Sequence, residues 1–336
     1  MHAVRAGKKR TLMSTASFVP ETHGGDDGAD AWKTLRRIGW RRLARDVLVR
    51  FKAADGTSHT RALAFTSVVG LFPGTIAVLG VAVALHLSRF REVVEQTATG
   101  LAPGRGGQVL TEAFRGASHG AAVSAAVFGT LWVLAAGTFA MAQLERSANR
   151  IYGIQDDRSI VLRYRRAFVM YVSAGLLLLL GLVLLAAGAA LGHAFASAYG
   201  WSGGVATAWA VARWPVGIVP VMLAVTILFR WCPNRRQPRM SWLATGTVVA
   251  VVLWVVFTGA LAAYYGSNTT AQQVYGPLLA VLALLTWAYL TSMALHLGLA
   301  FAAQLEAAQA GVRKPEHRRV VTPPEGRSER PKRRAG

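Results

Sequence analysis

The chain has 336 residues, of which 53% are hydrophobic and only 16% charged, against the ~25% charged residues usual in soluble domains; an ordinary water-soluble globular protein is excluded. The net charge is +21 and the pI about 11.3, but the basic residues fall between and outside long apolar runs. They therefore point to membrane topology and anionic headgroups on the cytoplasmic face, not to specific nucleic-acid binding, and the single cysteine, Cys232, rules out an intrachain disulfide and a thiolate metal cage.

Residues 1–30 are polar, Gly- and charge-rich, and are expected to be disordered. No cleavable signal peptide is expected, because the first apolar run begins only at Ala62 and is too long for one. Between them, residues 31–60 hold WRRLARDVLVRF, which sets Trp40, Leu43, Ala44, Val47, Leu48 and Phe51 on one helical face and Arg41, Arg42, Arg45 and Lys52 on another. Such an amphipathic helix suits the headgroup plane; packing on a cytoplasmic loop is the alternative.

Six spans follow, at about 62–88, 121–142, 167–198, 209–229, 242–263 and 277–303, giving an all-α polytopic helix bundle over residues 61–306. The first carries Gly70, Pro73 and Gly74, a kinked packing site or a hinge. A loop over 89–120 holds two short helical patches, and the second span runs directly into QLERSANRIYG. The fourth is the shortest, with Trp214–Phe229 as its apolar stretch, Pro215 in its first turn, Pro220 inside, and Trp209 and Trp214 as belt residues near Arg213. The sixth contains 27 residues, Pro277 to Ala303, without a charge. Residues 307–336 form a basic tail expected to be disordered.

Charge sets the orientation. Thirteen Lys/Arg precede the first span, six lie in the 143–166 loop, four in the 230–241 loop and nine in the tail, against four in the 89–120 loop and Arg213 alone on the other side. The positive-inside rule then expects a plasma-membrane protein with both termini in the cytoplasm.

Three blocks of sequence resemble the YihY/BrkB family of bacterial inner-membrane proteins: RALAFTSVVGLFP (61–73), QLERSANRIYG (143–153, with Asn149 and Tyr152) and RWCPNRRQPRMSWLATG (230–246, with Pro233 and Asn234). The last is followed by Trp254, Tyr264, Tyr275-Gly276, Trp287, Tyr289 and Gly298, and DGTSH at 55–59 looks most like the YhjD-type branch. The likeness covers roughly residues 40–306. It implies a six-helix envelope protein, of a family linked in parts to envelope integrity, serum resistance or lipid flux and formerly mislabelled as ribonuclease BN. One triplet departs. The family's last helix usually carries Gly-Ala-Glu, and here Gly298-Leu299-Ala300 stands instead, without the carboxylate.

For chemistry the sequence offers little. None of the 16 Asp/Glu lies inside an expected span, the eight histidines are scattered, and Asp156-Asp157 read as a solvated turn beside Arg158. No enzyme, metal site or cofactor is expected. Polar residues at membrane depth are the better candidates. His296 either bonds a neighbouring helix or lines a polar path; Arg213 is interfacial or holds a lipid phosphate in an outward cleft. Gln143, Glu145, Arg146 and Asn149 extend the second helix, with a Glu145–Asn149 contact and a gating role both open. Arg235 and Arg236, beside Pro233 and Asn234, are placed against headgroups of the inner leaflet or against substrate.

Two readings of function follow. A transporter or handler of a lipid-like or small envelope-related substrate predicts a polar cavity lined by Arg213 or His296. A non-transporting envelope scaffold predicts a solid core, and a tRNA-processing ribonuclease stands as a remote third. Self-association into a homo-oligomer is open, and the substrate is unknown.

Overall fold

A computed structural model describes residues 16–21, 27–84, 119–155, 158–199, 203–267, 269–312 and 314–315. The expectations for the 89–118 loop, the Asp156-Asp157 pair and the tail beyond 315 lie outside these residues. Eight helices are described: α1 (Gly28–Ile38), α2 (Trp40–Ala53), α3 (Gly56–Ala84), α4 (His119–Ile151), α5 (Ile160–Tyr199), α6 (Gly203–Trp231), α7 (Met240–Ser267) and α8 (Thr269–Gln309). From α3 to α8, each contains a stretch long and apolar enough to cross a membrane. The protein is a multi-pass membrane helix bundle.

The six spans pack in chain order, α3 on α4, α4 on α5, and so on to α8, which returns to pack on α3 and closes a ring. The tightest contacts are within three hairpins, α3–α4, α5–α6 and α7–α8. Small residues allow this, because helices gain nothing from hiding apolar area from lipid and associate through close backbone approach. A Cβ at Gly129 would lie 2.8 Å from the Ala77 nitrogen, and one at Gly181 would lie 2.8 Å from the Gly217 carbonyl oxygen. At the α7–α8 crossing, a Cβ at Gly246 would meet the Gly298 oxygen at 2.7 Å. Several hydroxyls within the spans are satisfied locally. Thr66, Ser67, Thr138 and Thr226 each donate to the carbonyl one turn earlier, at 2.6–2.9 Å.

The ring is solid at one end. Buried residues concentrate at 142–152, 167–174, 224–232, 242–250 and 299–307, all near the face that carries both described ends of the chain. That both ends share a face is shown by the Ser17 N–H, which donates to the Pro315 carbonyl at 2.9 Å. Beside this packed base, among the described residues, the ring encloses a cavity.

Three sequence expectations need correction. The fourth span does not begin near Trp209: α6 starts at Gly203, so Pro215 stands mid-helix and not in the first turn. A span tolerates such prolines because neighbouring helices supply partners for the freed carbonyls. Within 1–30, expected to be disordered, residues 16–21 are packed, with Ala16 and Val19 fully buried, and Asp27 caps α1 by accepting from the Ala29 and Asp30 amides. The amphipathic helix forms as α2, but Leu43, Val47 and Phe51 are covered by protein, not lipid, while Trp40 and Leu48 remain exposed.

Candidate functional site

A cavity of about 290 Å³ sits at the centre of the ring and is lined from all six spans. Leu63 and Ser67 come from α3, Met141 and Leu144 from α4, Leu182 from α5, Val225 from α6, Trp254 from α7, and Trp287 and Ser292 from α8. Its wall is almost entirely apolar; the few hydroxyls include that of Ser67, already bonded to its own backbone. A second, larger space of about 630 Å³ opens between α3 and α4, against Tyr171 of α5. Ser67, Ala140 and Met141 line both. The two spaces are therefore adjacent, one central and one lateral.

The glycines of the first span explain the cleft. Gly70 and Gly74 line it, where side chains would crowd Ala136 at 3.2 Å and Val133 at 3.3 Å. Pro73 lies between them inside α3. The transporter reading expected a polar cavity lined by Arg213 or His296. The cavity is apolar, and neither residue lines either space.

His296 lies one turn below Ser292, sealed in the wall beneath the cavity. Its Nδ1 donates to the Ser292 carbonyl at 2.7 Å and its Nε2 meets the Ser147 hydroxyl at 2.9 Å. This is the helix-to-helix bond, not the polar path. Arg213 lies toward the other end of α6, its guanidinium 5.5 Å from the Trp214 ring centroid.

Below His296 comes a layer of buried charge. Glu145 of α4 pairs with Arg158 at 2.8 Å, and Arg158 also donates to the Cys232 and Pro233 carbonyls. Glu306 of α8 pairs with Arg235 at 2.6 Å, with side-chain exposures of 0% and 3%. Arg235 donates further to the Val19 and Pro20 carbonyls and lies 5.0 Å from the centroid of the Tyr152 ring. Arg50 of α2 is fully buried and, among the described residues, is held by neutral oxygens. Its Nε donates to Gln304 at 2.7 Å, and its other nitrogens donate to the Ile151 carbonyl and to the carbonyl and hydroxyl of Ser17, each at 2.9 Å. Burial pulls its pKa down to about 10, so the guanidinium stays charged near neutral pH. Burial also pushes the Tyr152 hydroxyl and the Cys232 thiol up.

Several sequence candidates thus join one layer and lose their expected roles. Arg235 is not at the headgroups; it is enclosed by protein. The side chain of Arg236 is exposed, while its backbone N–H donates to Glu21. Asn149 does not meet Glu145; its Oδ1 accepts the Asn234 N–H at 2.8 Å, tying the end of α4 to the α6–α7 loop. Pro233 is buried in that loop, Gly298 makes the α7–α8 crossing, and Pro220 sits in α6 one residue before the cavity-lining Val221. Trp287 lines the cavity and donates to Thr258 at 3.3 Å. Tyr275 and Gly276 belong to α8, with their side-chain surroundings outside the described residues. Among the described residues, no three His, Cys, Asp or Glu side chains form a metal site.

Sequence reasoning missed Arg50, Gln304, Glu306, the Glu145–Arg158 pair and residues 16–21. One signal was available: at ~100° per residue Arg50 falls on the same stripe as Leu43 and Val47. A charge inside an apolar stripe requires a buried partner.

Comparison with known proteins agrees with this architecture. The ribonuclease-like protein YfkH of Bacillus subtilis (strain 168) is 23% identical over 256 residues, spanning 76% of this chain and 91% of that protein. No solved structure matches the chain. The family model described as Virulence factor BrkB matches residues 47–322, from the buried stripe of α2 through all six spans and beyond Glu306, and the chain belongs to that family.

Proposed function

We propose that the protein handles a lipid-like substrate, whose hydrocarbon chain enters through the cleft between α3 and α4 and lodges in the cavity at the centre of the ring. The observation that carries this reading is the adjacency of the two spaces across Ser67, Ala140 and Met141, both with apolar walls and both within the spans. A polar solute would lose its hydration there with only the hydroxyls of Ser67, Thr291 and Ser292 to replace it; an acyl chain loses nothing on leaving the bilayer. The charge layer closes the ring toward the face with both termini, which by the positive-inside rule is the cytoplasmic face of the plasma membrane.

The envelope-scaffold reading draws on a different observation, the densely bonded base, which ties α2, α4, α8 and the α6–α7 loop together. The ribonuclease wording belongs to the relative, and no residue described here supplies a reason to transfer it.

Reconstitution separates the readings. Purified protein in liposomes is expected to move fluorescent phospholipid between leaflets faster than protein-free vesicles, and Gly70→Leu or Gly74→Leu, which fill the cleft, are expected to slow it. Equal rates with and without protein would refute transport and favour the scaffold.

A further inference from the structure

We propose that residues 16–21 form a strap that stoppers the inner mouth of the ring, and that this strap must leave before the cavity can open to the face bearing the termini. Hydrogen bonds hold the strap, beside the two small apolar side chains of Ala16 and Val19 that it sets into the core. Arg50 donates to the Ser17 carbonyl and hydroxyl, and Arg235 to the Val19 and Pro20 carbonyls, at 2.9–3.2 Å. The Val19 N–H donates to the Tyr152 carbonyl at 3.1 Å, the Ser17 N–H to Pro315 at 2.9 Å, and Glu21 accepts from the Arg236 N–H at 3.0 Å.

Through these bonds one short segment joins α2, the end of α4, the α6–α7 loop and Pro315 just after α8. The sequence makes room for it. Gly153 has φ +70°, and a Cβ there would stand 2.8 Å from the Phe18 backbone and the Ser17 oxygen. Only glycine serves at that position, because the conformation is left-handed and the strap lies directly on it.

What anchors the strap is also what makes it releasable. Ala16 and Val19 are its buried apolar side chains, while Phe18 is half exposed. Little apolar area is lost when it lifts, and each backbone group it gives up can bond water. The charge layer beneath would then face solvent, where separating its ion pairs costs far less than in a closed interior. A segment held this way belongs to the low-stability end of a fold's local openings. Helices cross-tied by it stay together while it is seated.

The inference rests on the reading of the central cavity as the substrate's seat, but its test reads water access and not lipid. Thr291→Cys, on the cavity wall, serves as reporter in a Cys232→Ala background, with labelling at residue 291 by a membrane-impermeant maleimide read by peptide mass in vesicles exposing the termini. Ser17→Cys with Pro315→Cys is added so that a disulfide can lock the strap, since their backbones already share a hydrogen bond. The reduced form is expected to label at least tenfold faster than the oxidised form, and Val19→Asp, which unseats the strap, faster than the parent. Equal labelling of the oxidised and reduced forms of that one folded protein would overturn the strap's role while leaving the lipid reading intact. Absence of lipid transport with strap-dependent labelling would do the reverse.

Discussion

Replacing Arg235 with Ala removes an ion-pair partner of Glu306, a carboxylate that has no exposed surface. Glu306 is 0% exposed and Arg235 3%, at 2.6 Å, so the pair lies in the regime where deleting one member leaves a buried charge under-compensated, at a cost of about 3–5 kcal/mol. The exposed pair Lys33–Asp30, at 3.2 Å with exposures of 77% and 38%, is worth about 0–1 kcal/mol and supplies the internal control. Arg235→Ala also frees the Val19 and Pro20 carbonyls, which water can reach if the strap lifts; the buried carboxylate therefore dominates the loss. The assay is chemical unfolding of purified protein in micelles for the wild type, Arg235→Ala, Glu306→Ala, the double variant and Lys33→Ala. Each single core variant is expected to lose at least ~3 kcal/mol and the double variant much less than the sum, because contacting residues couple. A loss under about 1 kcal/mol for Arg235→Ala, or strict additivity, would refute the buried-pair reasoning.

Other variants probe the layers separately. Gly298→Leu would force a Cβ to 2.5 Å from the Ala250 Cβ and 2.7 Å from the Gly246 oxygen, and is expected to destabilise by about 1–3 kcal/mol in the same assay; Gly175→Ala, with nothing within 4 Å, should be close to neutral. Ser147→Ala removes the partner of His296 Nε2 and should cost about 1–3 kcal/mol of unfolding free energy, since a buried polar atom is left unmatched. The Cys232 thiol is buried and its pKa raised, so it should resist a thiol reagent at pH 8 in the folded protein and react once unfolded. The linkage has one sign: a raised acid pKa contributes stability that is complete below its ordinary value of 9.0 and is lost as pH rises past it. Cys232→Ala should therefore flatten the decline in unfolding free energy above about pH 9.

The membrane architecture was legible because its physics is one-dimensional. A run such as Pro277 to Ala303 has only one comfortable solvent, and the alternation of Lys/Arg-rich and Lys/Arg-poor loops requires an even number of crossings. The site was far less legible, because it depends on which helices meet. Glu306 lay past the end of the expected span and read as tail, while α8 in fact runs on to Gln309 and carries it into the base. Arg235 looked like a surface arginine because its partner stands 71 positions away. The departure at Gly298-Leu299-Ala300 removed one carboxylate from consideration, yet two others, Glu145 and Glu306, are fully buried near the C-terminal ends of α4 and α8. Cavity polarity is hidden for a related reason. In the sequence His296 and Arg213 stand as lone polar groups, whereas the cavity wall comes from six helices whose register no local pattern reveals.

Most directly at stake is whether the central cavity of the ring holds a hydrocarbon chain. Photoactivatable phospholipid with its reactive group deep in the acyl chain, cross-linked to protein in liposomes and mapped by peptide mass, tests it directly. The account predicts adducts on Met141, Leu144, Val225 and Leu295, lost when Ser67→Phe blocks the junction between cleft and cavity. Adducts confined to the outward faces at Phe65, Phe128 and Trp132, with or without that substitution, would contradict it.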